Sequence, residues 1–158
     1  MKRVFAIGSV AVLALAAAGQ MRAQSDPFAG TWKLNLAKSK YNAGTPPKSE
    51  MRTYEAQSGG ETLNVTGVAA DGSRVAWGYT VRFDGKPYPI TGSGPGGADA
   101  IAVKRVNARR VEATLQKAGK VIQTANRVVS EDGKTMTATA RVAGEDGPPL
   151  FVIVYDKQ

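Results

Sequence analysis

The amino-acid sequence predicts an all-β domain: an antiparallel up-and-down (meander) barrel of about 8–10 strands preceded by a signal peptide. Three observations carry this. Turn signals recur at Gly59-Gly60, Asp71-Gly72, Asp84-Gly85, Asn107-Ala108, Ala118-Gly119, Asp132-Gly133 and Asp146-Gly147, with most neighbours 11 to 14 residues apart. Segments between them alternate apolar and polar residues with the two-residue period of a half-buried strand. No segment after residue 24 keeps a helical period for three turns.

Residues 1–23 read as an address. Lys2 and Arg3 precede an apolar run from Val4 to Ala18, and small and polar residues follow. The run is shorter than the ~20 apolar residues of a membrane helix, so cleavage after Ala23 is expected, with Ala16-Ala17-Ala18 an alternative site and an uncleaved anchor the competing reading. Cleavage would leave residues 24–158 as one periplasmic or secreted domain without stable membrane insertion. It removes Lys2, Arg3 and Arg22 and no acid, lowering the formal charge from +8 to +5. With no Cys in the chain, a lipoprotein anchor is excluded.

Strands are expected near 30–37, 50–57, 62–70, 73–83, 87–91, 99–106, 109–117, 120–130, 134–142 and 149–156. Parity is clearest where Val75, Trp77, Tyr79, Val81 and Phe83 alternate with polar or small residues, and again at Val111, Ala113 and Leu115 and at Met136, Ala138, Ala140 and Val142. Asp-Gly pairs suit two-residue hairpin loops, which need positive φ at both central residues. A run of hairpins avoids exposed edges most simply by closing, and a two-sheet sandwich is the rival. The long loops expected are Ser39–Lys48 and Gly92–Gly97, the latter at a barrel mouth.

Phe28-Ala29-Gly30-Thr31-Trp32-Lys33-Leu34 resembles the opening of fatty-acid-binding proteins and contains the G-x-W of lipocalins, which together form the calycin superfamily. The resemblance implies structural roles for Gly30, at a tight strand entry, and Trp32, closing one barrel end. Gly30 to Asn35 with Lys38 to Tyr41, Asp84 to Pro89 and Ser130 to Thr137 resemble a family of uncharacterised exported lipocalin-like proteins of bacteria, which implies a fold and no assigned chemistry. The lipocalin T-D-Y motif is absent, and Ser39–Lys48 is too short for the helical lid of fatty-acid-binding proteins. Val152-Ile153-Val154-Tyr155 also lacks their C-terminal Arg-x-Tyr.

Composition narrows the chemistry. The absence of His and Cys removes thiol nucleophiles, Ser-His pairs and the usual zinc sites. Six acids (Asp71, Asp84, Glu131, Asp132, Glu145 and Asp146) fall in turns, while Glu55 and Glu112 are read as the acids inside strands; no facing carboxylate pair or D-x-D-x-D cage emerges. No catalytic residue, metal or cofactor is expected. Nor is nucleic acid, because Lys104-Arg105 and Arg109-Arg110 flank a turn without aromatic platforms. The expected partner is a small hydrophobic or amphipathic ligand, an anionic one included. Candidate ligand-binding residues are Trp77, Tyr79, Arg105, Gln123 and Arg127. Arg105 follows Ile101 and Val103, and Arg127 follows Val121, Gln123 and Ala125; the simplest reading has both snorkelling at strand ends, the alternative has them facing a cavity. Small residues (Gly67, Ala113, Ala125, Ala138, Ala140) opposite the aromatic stripe lean toward a cavity, and about 300 Å³ or more would favour a carrier over a filled barrel acting as an envelope interaction module.

Overall fold

A computed structural model describes residues 25–158, so the segment read as a signal peptide lies outside the described residues. Eleven strands form one antiparallel sheet: β1 (Gly30–Tyr41), β2 (Ser49–Gln57), β3 (Gly60–Val68), β4 (Arg74–Arg82), β5 (Asp84–Pro89), β6 (Thr91–Gly92), β7 (Ala100–Asn107), β8 (Arg110–Lys117), β9 (Lys120–Val129), β10 (Thr135–Val142) and β11 (Phe151–Lys157). The described residues hold no α-helix, only a single 3₁₀ turn at Pro95–Gly97.

The sheet order is β5-β7-β8-β9-β10-β11-β1-β2-β3-β4-β6, a meander whose first and last long strands pair through Trp32↔Lys157 to Tyr41↔Phe151. One continuous sheet curled into a nearly closed barrel replaces the sandwich. Its seam lies between β4 and β5, which share no ladder. From Asp84 to Pro89 the chain runs along β7, then crosses at Ile90, where Thr91 and Gly92 pair with Gly78 and Trp77 of β4. Pro87 and Pro89 are tolerated there because β5 is an edge. This split of one expected strand into β5 and β6 makes the count eleven.

Parity sorts the side chains as expected in β4, β8 and β10. Tyr79, Val81, Val111, Leu115, Met136, Ala138 and Ala140 are buried, and Arg74, Arg82, Arg110 and Arg141 face solvent. In β9 the inward face is Gln123, Ala125, Arg127 and Val129, while Val121 lies beyond a register shift and is exposed.

Two boundaries and the form of the turns differ from the sequence reading. β1 continues to Tyr41 because Ser39 Oγ accepts from the Val154 backbone N–H (2.9 Å) across an irregularity in the β1–β11 ladder, which shortens the expected 39–48 loop. A longer connection, residues 143–150, follows β10 instead. The Asp-Gly pairs also do not form two-residue loops. Asp71, Asp84 and Asp132 each accept a backbone N–H two residues on, at 2.8–3.0 Å, and only the following Gly takes positive φ. The aspartate thus satisfies a wider turn with its own carboxylate. The two-residue loop with positive φ at both positions is Ala118-Gly119, where Ala118 is the non-glycine residue with positive φ among those described.

Candidate functional site

Because successive antiparallel strands alternate direction, the turns divide into two ends. One end carries residues 25–29 with the 57–60, 82–84, 107–110 and 130–134 turns, and it is sealed. Phe28 and Trp32 are fully buried there, and the Trp32 indole N–H donates to the Phe28 carbonyl at 2.8 Å. Gly30 enters β1 at φ +117°, a conformation side chains resist, and a Cβ there would press on the Lys157 side chain. Gly30 and Trp32 therefore occupy the structural positions expected of them.

Arg105 belongs to this sealed end. Its guanidinium donates to Asp26 at 2.6 Å and lies over the Phe83 and Phe28 rings at 4.4 and 5.4 Å. It does not line the interior cavity.

Arg127 sits deeper, 6% exposed, so the snorkelling reading is corrected for it. Its Nη2 donates to Glu61 Oε1, which also accepts from the Tyr79 hydroxyl at 2.8 Å. The guanidinium stacks on Tyr54 (4.6 Å) and Phe28 (5.3 Å), separating the sealed end from the space beyond. Burial opposes the Arg127 charge, but Glu61 and the neighbouring phenols hold it protonated, above its usual range. Its charge is thus matched inside the protein, without the anionic head group that the sequence offered as one way to satisfy it.

A second, half-buried pair stands on β2, with Tyr155 of β11 beside it. Arg52 Nε donates to Glu50 Oε1 (2.7 Å), the Tyr155 hydroxyl donates to the same oxygen (2.6 Å), and the guanidinium lies 4.6 Å from the Tyr155 ring and 5.7 Å from Trp77. Burial works against the Glu50 charge, yet Arg52 and Tyr155 hold its carboxyl below the usual range.

Between these clusters and the other barrel end is an interior cavity of about 60 Å³. Arg127, Tyr54 and Tyr79 line it alongside Arg52; Trp77, Phe151, Gln123 and Pro95 line it too. Pro95 belongs to the segment following β6, as expected for a loop at the mouth; a Cβ on Gly96 would stand 3.1 Å from Gln123 Nε2, so this segment lies against Gln123. Four of the five candidate ligand-binding residues, Trp77, Tyr79, Gln123 and Arg127, therefore share one cavity, whose volume is well below the 300 Å³ set for a ready-made carrier. Arg127 Nη1 and the Tyr54 hydroxyl, both buried, have no protein partner.

Sequence reading missed Glu50, Arg52, Tyr54, Glu61 and Tyr155. The available signal was parity: Glu61 shares the face of Leu63 and Val65, and Glu50, Arg52 and Tyr54 alternate along β2. A larger groove of about 410 Å³ lies outside, on the outer face of β7–β10 among Lys104, Glu112, Thr114, Thr124, Asn126 and Arg141. Among the described residues no group of three His, Cys, Asp or Glu could hold a metal ion, and no helix is long and apolar enough to cross a membrane.

The buried phenols set a pH dependence. Burial, opposed by Arg127 and aided by the Glu61 carboxylate, holds the Tyr79 hydroxyl well above its usual range; burial holds Tyr155 likewise, opposed by Arg52 and aided by Glu50, and Tyr41 is pushed up to about 12. A phenol whose folded pKa is raised contributes stability that is complete below its unfolded value, about 10, and is lost as pH climbs from there toward the folded value. Denaturation midpoints are therefore expected to fall between about pH 10 and 12, with three phenols ionising only as the fold is lost. Near-ultraviolet phenolate absorbance, followed together with far-ultraviolet dichroism, checks this. Ionisation of every tyrosine near pH 10 in a folded chain would contradict it.

No protein-family model matches this chain, and no curated protein matches it in sequence. Among solved structures, zebrafish ileal bile acid-binding protein complexed with cholic acid superposes with a TM-score of 0.53 at 14% identity, over 84% of this chain and 99% of that one. Apocrustacyanin C2 aligns with a TM-score of 0.47 at 13% identity, over 84% of this chain and 62% of the other. At 14% identity the first likeness shows the fold alone: an all-β antiparallel barrel like that of the bile acid-binding protein.

Proposed function

We propose that the domain binds one small apolar or amphipathic molecule inside the barrel and performs no covalent chemistry. The observation that carries this reading is the cavity: aromatic and small apolar walls over a floor where Arg127 Nη1 and the Tyr54 hydroxyl are buried without partners. Buried polar groups are ordinarily hydrogen-bonded, so a floor of this kind suits a ligand with one polar end. The fold shared with a bile acid-binding barrel supports the same reading. At about 60 Å³ the cavity suits a small molecule, and a larger one requires lining side chains to move.

Native mass spectrometry of protein purified from its own host is expected to show a retained small molecule. Ligand binding is expected to change Trp77 emission, since Trp77 lines the cavity whereas Trp32 is sealed away. The response should vanish in Trp77→Phe and survive in Trp32→Phe. A mass without adduct, and silence toward a broad apolar panel, would overturn the proposal. The near-filled interior and the outer groove favour a second reading, a filled barrel acting as an envelope interaction module, which that negative result would leave standing.

Export belongs to the proposal as well. It rests on the charged, apolar and small-residue segments of residues 1–23 and on the likeness to exported lipocalin-like proteins of bacteria. The intact mass of mature protein from the envelope fraction is expected to begin at Gln24. Retention of Met1–Ala23 there would refute cleavage.

A further inference from the structure

We infer that the interior site selects electrically neutral molecules over carboxylates, and that what it grips is a neutral oxygen acceptor, a carbonyl or hydroxyl. This rests on the interior-binding reading and names its ligand class.

The basis is charge matching. Two guanidinium groups line the cavity and each already has its anion, Arg127 with Glu61 and Arg52 with Glu50, while Arg105 at the sealed end is paired with Asp26. The first pair is the most enclosed, at 8% and 2% side-chain exposure, and the second follows at 11% and 13%. A carboxylate arriving beside Arg127 would put two anions against one cation in a poorly solvated space, and the second anion must surrender its hydration for an attraction already spent on Glu61. Glu61 Oε2, buried without a partner, adds to the repulsion. A neutral oxygen meets none of this opposition. Arg127 Nη1 is an unused donor and Tyr54 supplies an unused hydroxyl, both on residues lining the cavity. A carbonyl accepts from both; a hydroxyl accepts from Arg127 and donates to Tyr54. Burial enlarges the difference, because an unsatisfied donor and an unpaired charge both weigh more in a low-dielectric interior. The remaining wall, with Trp77, Phe151 and Leu115, accepts the hydrocarbon part.

The test uses three probes of one chain length: 2-heptanone, 1-heptanol and heptanoate. Binding to the mature protein is read by Trp77 emission and by thermal shift at about pH 8, where the acid is ionised. The ketone and the alcohol are expected to bind at least roughly tenfold tighter than heptanoate. Heptanoate binding equally or more tightly overturns the inference and leaves interior binding intact. Failure of all three probes, and of their homologues down to three carbons, overturns interior binding and this inference with it.

A charge change supplies the second arm. Glu61→Gln frees the Arg127 cation, so preference is expected to reverse toward heptanoate, which should also raise the melting temperature of this variant more than 1-heptanol does. An unchanged preference in a folded Glu61→Gln protein overturns the inference. Should that variant not fold, the double variant Glu61→Gln/Arg127→Met keeps the interior neutral and removes the donor. It is expected to bind 2-heptanone no better than heptane, and retention of the wild-type margin for the ketone overturns the assignment of Arg127 as the grip.

Discussion

Trp32→Ala is expected to lower folding stability by about 3–5 kcal/mol, the scale of removing a large buried aromatic. Trp32 is 0% exposed, and its ring lies beneath the Lys157 ammonium at 4.9 Å. Its indole N–H also satisfies the Phe28 carbonyl, so truncation leaves a cavity and an unpaired acceptor together. Phe28 in turn supports the guanidinium groups of Arg105 and Arg127. Denaturant melts of both proteins, compared at equal slope, measure the effect. Trp32→Phe should cost less, because it keeps most of the volume. A loss below about 1 kcal/mol for Trp32→Ala would mean that this end of the barrel is not closed as described.

Glu61→Leu is expected to cost a similar amount, about 3–5 kcal/mol, for a different reason. It leaves the Arg127 charge buried without its anion and takes the acceptor from the Tyr79 hydroxyl. Leucine is apolar and of comparable size, so lost packing contributes little. The decisive comparison is the double variant Glu61→Leu/Arg127→Met. Replacing both partners of a buried ion pair by apolar groups is often neutral or better, so the pair should recover most of the single-variant loss. Melts of all four proteins give the coupling, and losses that simply add would show that the two residues do not act as a pair.

Alternation made most of this barrel legible in the sequence. In β4, β8 and β10 the two faces differ sharply in polarity, and the interior is the face that parity indicates. β9 offered no such contrast, because Gln123, Ala125 and Arg127 on one face are about as polar as Thr124, Asn126 and Val128 on the other. Glu61 was obscured by its position beside Gly59-Gly60, where an acid reads as part of a turn, although a Cβ at Gly60 would strike the β4 backbone and the strand has already begun. The pairing of Glu61 with Arg127 joins residues 66 positions apart, which no local pattern carries. Cavity size is likewise a sum over all strands. Small residues at Ala113, Ala125, Ala138 and Ala140 suggest room, yet the phenols and guanidinium groups that reach across from β2, β4 and β9 fill most of it.

The seam at Ile90 governs how fast anything inside can exchange with solvent. Every other junction around the barrel is a ladder several residues long, while across this seam β4 and β5 share no ladder and β6 is held to β4 over two residues, Thr91 and Gly92, with the Thr91 hydroxyl donating to the Gly78 carbonyl at 3.2 Å. Local opening free energy scales with the contacts that must be broken, so this junction unzips long before the sheet does. Residence time of an interior molecule is then a property of two residue pairs and is separable from its affinity. Amide hydrogen exchange should be fastest here and at the adjoining 93–99 segment, and a crosslink from β6 to β4 would slow release and uptake together while leaving the equilibrium constant unchanged.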